Sequence, residues 1–129
     1  MDYLKELIDK GGKLGLKVLM GDEPNMEKGL LAGAYGVVPI LANYDPETFI
    51  KLYNSAIEKN LDELHSMQER IILMRDNLVK AGTCWIAGLK YTMACLGMGT
   101  GKPVSPLQPL SEKEKKKVRD FISSDRRMN

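Results

Sequence analysis

From Lys17 to Glu47 the chain reads KVLMGDEPNMEKGLLAGAYGVVPILANYDPE. Two short apolar runs, Val18-Leu19-Met20 and Val37-Val38-Pro39-Ile40-Leu41, stand on either side of one helical stretch. Gly21-Asp22 ends the first run and Asn43-Tyr44-Asp45-Pro46 ends the second, both groups of turn-forming residues. The order is strand, helix, strand, helix, and such alternation implies a parallel sheet. A parallel sheet is normally buried on both faces and holds more than two strands. This segment therefore reads as the end of a larger α/β arrangement.

On the amino-terminal side, Asp2 to Lys10 reads as a helix with Leu4, Leu7 and Ile8 on one face and Gly11-Gly12 as its end. Lys17 to Met20 is the first strand. Asn25 is placed to cap the next helix, which runs to about Ala34 and carries Gly29 and Gly33, where a backbone can approach closely. Pro39 donates no ladder hydrogen bond, so it belongs at an edge, at a bulge or where its nitrogen faces no neighbour. Asp45-Pro46-Glu47 is a helix start: a capping acid, a proline suited to the first helical position, and an acid at the positive helix end.

That helix ends near Asn60, and a longer one spans about Leu61 to Lys80. Its apolar stripe is Leu61, Leu64, Met67, Ile71, Met74 and Leu78. Gly82 separates it from a helix over about Thr83 to Leu96. The stretch from Gly97 through Pro103, Pro106 and Pro109 reads as loop. Ser111-Glu112-Lys113-Glu114 is a capping box that opens a last helix. The first third thus alternates helix and strand, and the rest is helical.

The 129 residues suit one domain, and 43% hydrophobic with 28% charged residues is ordinary for a globular chain. A net charge of +2 sets up no field that selects nucleic acid or an anionic membrane. The late basic residues, Lys113, Lys115, Lys116, Lys117, Arg119, Arg126 and Arg127, alternate with Glu112, Glu114, Asp120 and Asp125, as on a solvated helix face with a frayed tail. No apolar run approaches the roughly 20 residues of a membrane span. Cys84 and Cys95, eleven residues apart in one expected helix, lie roughly 16 Å apart by helical rise, too far for a disulfide. Reduced, buried thiols and no signal-peptide pattern at Met1 to Lys5 point to the cytoplasm.

Few residues offer chemistry of their own. Gly97 to Lys102 fails as a phosphate loop, because Leu96 stands where a glycine is needed and Pro103 where Ser or Thr is needed. His65 is the one histidine and has no thiol or second histidine near it in sequence, so it reads as a helix-surface or packed residue and no metal site is expected. Lys90 reads as a helical lysine reaching outward, and the eight methionines as core filler. Gly21-Asp22-Glu23 and Val38 to Asn43 are better placed. Both follow the carboxyl ends of strands, where α/β sheets and barrels bind ligands.

Gly21-Asp22, Gly33-Ala34, Gly36-Val37-Val38, Ala42-Asn43, Pro46-Glu47 and Leu52-Tyr53 resemble the carboxyl-terminal part of the dihydrodipicolinate synthase/N-acetylneuraminate lyase family. Leu89-Lys90, Leu96-Gly97, Gly101, Pro106-Leu107-Gln108-Pro109-Leu110-Ser111 and Glu114 resemble its closing segment, so the resemblance covers nearly the whole chain. It implies an α/β fold: the last two strands of a TIM (β/α)8 barrel with their helices over residues 1–60, then a helical extension over 61–129.

Members of that family are class I aldolase-type lyases and synthases without a cofactor. A lysine at the end of the sixth strand forms a Schiff base with pyruvate or another 2-oxo acid, which then adds to or leaves from an aldehyde. By the resemblance this chain begins just past that lysine. An internal methionine, a split gene or a truncation would account for Met1. The chain then carries no catalytic residue and is inactive alone. Its substrate-binding positions are Gly21, whose backbone lines the pocket, and Val38, whose main-chain carbonyl lies near the Schiff-base lysine. Glu23 matches one sugar-binding acid of the sialic-acid lyases, but Pro24 and Ile40 replace the other acid and the serine, so sugar selectivity is not implied. The alternative is a non-catalytic α/β association domain. Open parallel edges favour a homo-oligomer or a complex with the missing N-terminal part.

Overall fold

The computed structural model describes residues 2–82 and 84–125. Thr83, expected to open a helix, and Arg126 and Arg127 of the expected tail lie outside the described residues. The chain divides into two compact units, Met1–Ile72 and Leu73–Asn129.

In the first unit, α1 (Asp2–Lys13) runs through Gly11-Gly12 instead of ending there. Gly11 is the buried residue of the helix, and a methyl group there would touch Val18 Cγ2 at 3.4 Å. The chain leaves the helix at Gly15, which has φ +72°. That left-handed position is one only glycine takes without strain. Strands β1 (Leu19–Met20) and β2 (Gly36–Val37) pair in parallel, with Leu19 opposite Gly36 and Met20 opposite Val37. The Tyr35 N–H donates to the Val18 carbonyl at 2.8 Å and the Val38 N–H to Met20 at 2.9 Å, which brackets the ladder. Pro39 falls immediately beyond the last ladder bond, where its missing N–H is not needed.

Between the strands, a 3₁₀ turn (Glu23–Asn25) leads into α2 (Met26–Leu31). Asn25 makes no side-chain cap; its amide donates to Asp22 Oδ2 at 2.6 Å. Gly29 does admit a close neighbour, but a side chain rather than a backbone: a methyl there would lie 2.7 Å from Met20 Cγ. Helix α2 packs on both strands and on α3 (Pro46–Glu58), which follows a second 3₁₀ turn (Leu41–Asn43). Met20, Met26, Leu41, Phe49, Leu52 and Leu64 are among the buried residues of this first unit.

Asp45 caps α3 as its sequence requires. Its Oδ1 accepts the Thr48 N–H at 3.2 Å, and its Oδ2 accepts the Thr48 hydroxyl at 2.7 Å. Helix α4 (Leu61–Met74) adds Arg70, whose Nη2 lies 2.8 Å from Asp45 Oδ2. Burial alone would push the Asp45 carboxyl up. The bonds from Thr48 and Arg70 outweigh it and hold the group below the ordinary carboxylate value.

In the second unit, α4 passes into a π-helical turn (Arg75–Val79). Helix α5 (Trp85–Cys95) presses Gly88 against that turn, and a methyl at Gly88 would overlap the Leu78 carbonyl oxygen. Cys84 and Cys95, both free, are not buried as expected: Cys84 is half-buried just before α5, and Cys95 is exposed at its last residue, where the helix ends in solvent. Gly97, Gly99 and Gly101 all have positive φ, as a loop after α5 demands. The capping box forms at α6 (Glu112–Ser124): Ser111 N–H to Glu114 Oε2 at 2.7 Å and Glu114 N–H to Ser111 Oγ at 3.4 Å. On α6, Lys115 pairs with Glu112 and Lys116 with Asp120, each at 2.7 Å, so much of the basic run is neutralised within the helix. Of the methionines, Met20, Met26, Met67 and Met74 are buried and Met98 is exposed.

Two outcomes follow from these contacts. Because the folded Asp45 value lies below the unfolded one, its contribution is complete above about pH 4 and is lost as pH falls through the folded value. Asp45→Asn should cost about 2 kcal/mol at pH 7. The gap to the parent chain should narrow below about pH 4, as read from urea midpoints at the two pH values. Gly88→Ala should cost about 1–3 kcal/mol through overlap with a backbone that cannot yield locally, as read from the denaturation midpoint.

Candidate functional site

Residues that the sequence places past the two strands come together at one end of the parallel pair. Gly21 follows β1 and Val38 follows β2 in the same register, joined through the Val38–Met20 backbone bond. Both are exposed, Val38 to 58%.

Asp22 is exposed beside them, with its carboxylate engaged by Asn25. Glu23 is not available in the same way. It is 5% exposed, and its Oε1 accepts the N–H groups of Ile40 and Leu41, each at 2.8 Å. That carboxylate caps the 3₁₀ turn after β2 and does not project toward a ligand. The acid-to-sugar match drawn for Glu23 from the lyases thus meets a carboxylate already bonded inside the protein.

A further residue escaped the sequence reading. Gln68, 7% exposed on α4, donates from Nε2 to the Glu23 carbonyl at 2.9 Å and accepts the Glu27 N–H at 2.8 Å. Its signal was present: position 68 stands four residues after Leu64 and next to Met67, on the apolar stripe of α4. A polar residue on that face needs a buried partner.

On the β2 side lies an apolar groove of about 430 Å³, lined by Leu19, Tyr35, Val37, Phe49, Ile50 and Tyr53 among others. At its rim the Lys17 ammonium lies 3.9 Å from the Tyr35 ring centre, and its hydrogen bond and charge lower the Tyr35 phenol below the usual value.

The remaining candidates stay apart from this edge. His65 is exposed, with Nδ1 3.3 Å from Glu27 Oε2 and Nε2 3.7 Å from Glu69 Oε1. Among the described residues no group of three or more His, Cys, Asp or Glu is placed to hold a metal ion. The N–H groups of Gly97 and Met98 bond back to carbonyls of α5, so they do not cradle a phosphate. Lys90 is exposed on α5. Among the described residues no helix is long and apolar enough to cross a membrane. The carboxyl edge therefore offers backbone groups and one carboxylate. It can form the wall of a pocket.

Comparison with known proteins agrees with this geometry. The model of the Dihydrodipicolinate synthetase family matches residues 1–125. The 4-hydroxy-tetrahydrodipicolinate synthase of Marinobacter nauticus is 33% identical over 110 residues, which cover 84% of this chain and 37% of that protein. The dihydrodipicolinate synthase of Bacteroides thetaiotaomicron superposes with a TM-score of 0.87 at 24% identity, over 94% of this chain and 42% of that one. A prophage protein of the dihydrodipicolinic acid synthase family from E. coli K12, solved in complex with pyruvate, superposes with a TM-score of 0.80 at 18% identity, over 95% of this chain and 42% of that one. The chain spans about two fifths of the length of the relatives it matches. With a family model that covers nearly all of it, and with relatives of the same fold, the chain belongs to the dihydrodipicolinate synthetase family.

Proposed function

We propose that this chain is the carboxyl-terminal portion of a Schiff-base-forming lyase or synthase barrel acting on a 2-oxo acid such as pyruvate and an aldehyde. Residues 1–60 supply the last two barrel strands and their helices, and residues 61–129 the helical extension. The observation that carries the reading is that Gly21 and Val38 each follow a strand of the same parallel ladder at its carboxyl end, within a chain of this family. Active sites of (β/α)8 barrels lie at that end. In the completed barrel a lysine amine attacks the 2-oxo carbon and water leaves. The resulting imine lets the neighbouring carbon lose a proton to give an enamine, and that carbon then donates its electron pair to the aldehyde carbon as the aldehyde oxygen takes up a proton. Gly21 contributes backbone to the pocket wall, and the Val38 carbonyl sits beside the imine-forming lysine. The reaction belongs to the cytoplasm, a reading supported by two free cysteines.

A second reading is favoured by the groove beside β2. With Leu19, Tyr35 and Ile50 each more than half exposed around it, the 129-residue chain presents an apolar surface that a barrel would cover. On this reading the chain works by association, with itself or with a separate N-terminal part.

The 129-residue chain incubated with pyruvate and reduced with borohydride should show no stoichiometric mass increase. A full adduct would overturn the assignment of the imine to a lysine outside these residues. Light scattering should find the chain as a dimer or larger, with Ile50→Glu shifting it toward monomer. A parent chain that stays monomeric at high concentration would remove the association reading.

A further inference from the structure

Glutamate is seldom buried without a cation beside it, because a carboxylate loses its hydration on burial. Glu23 is buried, and the groups it meets are backbone amides. Its position decides what those bonds do. The Val38 N–H is the last anchor of the ladder, bonded to Met20. Pro39 has no N–H and a fixed φ. The next amides along the chain are Ile40 and Leu41, and Glu23 holds both. Between these two anchors lie the Val38 carbonyl and the proline ring. Glu23 is itself held, through its own carbonyl, by Gln68 of α4.

We infer that Glu23 is a positioning residue: its buried carboxylate, gripping the Ile40 and Leu41 amides, sets the direction of the Val38 carbonyl at the carboxyl edge. Gln68 is the support that keeps Glu23 in place. The consequence for catalysis rests on the proposed function, in which that carbonyl faces the imine-forming lysine. The positioning itself does not. The bond pattern gives Glu23 a structural role, since its Oε1 is already engaged by two backbone amides.

Amide hydrogen exchange of the isotopically labelled chain tests this directly. Glu23→Ala should speed exchange at Ile40 and Leu41 by at least tenfold, with Leu52 and Leu64 unchanged, and should shift the Val38 carbonyl ¹³C resonance. Glu23→Gln retains an acceptor oxygen and should recover most of the protection. Unchanged exchange at Ile40 and Leu41, or equal acceleration in the core amides, would overturn the inference. Should Glu23→Ala fail to fold, Gln68→Ala carries the comparison: a several-fold rise at Ile40 and Leu41 supports the strut, and no rise overturns it. A barrel completed with a relative's N-terminal part reports separately on the functional reading. If it traps no pyruvate, that reading falls, whereas the exchange result still decides the role of Glu23.

Discussion

The parallel ladder between Val18–Met20 and Tyr35–Val38 is the constraint on which the first unit depends. Parallel pairing requires a crossover, and α2 supplies it. The crossover brings the two strand ends to the same side, so Gly21 and Val38 follow the same end of the ladder although they stand seventeen positions apart in the chain. Gly29 allows α2 to sit directly on Met20, and a larger residue there would lift the helix off the strand. The position of the candidate site is a consequence of connectivity first and of side chains second.

Polar contacts then tie α4 to that frame. Gln68 and Arg70, two residues apart on one helix, reach Glu23 and Asp45. Each acid serves a turn: Glu23 holds the 3₁₀ turn after β2 and Asp45 starts α3. A charge-assisted bond from a carboxylate to backbone N–H groups is stronger than a neutral one, and burial raises the cost of losing it. Both loops that follow β2 are therefore held by buried acids rather than by apolar packing alone. Such bonds are directional, so they fix the orientation of the backbone they hold.

The two helix starts at Asp45 and Ser111 were legible because a cap acts within four residues. The strand–helix–strand order was legible from apolar runs and turn residues. The carboxyl end of α1 and the cap of α2 were misplaced, since Gly11 stays helical beside Val18 and Asn25 bonds to Asp22. In both places a tertiary or near-neighbour contact overrode a local preference. At the site, Gly21 and Val38 were legible as positions past strand ends. The burial of Glu23 was not, because its partners lie seventeen and eighteen residues away.

By itself the sequence determined the family, the alternation of the first third, the helical remainder and the residues at the strand ends. Those features depend on patterns that repeat over three to seven residues, or on strings of residues in a set order. Only the tertiary structure decided that Glu23 turns inward, that Gln68 supports it, and that Gly88 lies against the Leu78 carbonyl. Each of these joins residues distant in the chain, and whether a carboxylate meets water, a ligand or two backbone amides is settled by what the fold brings beside it.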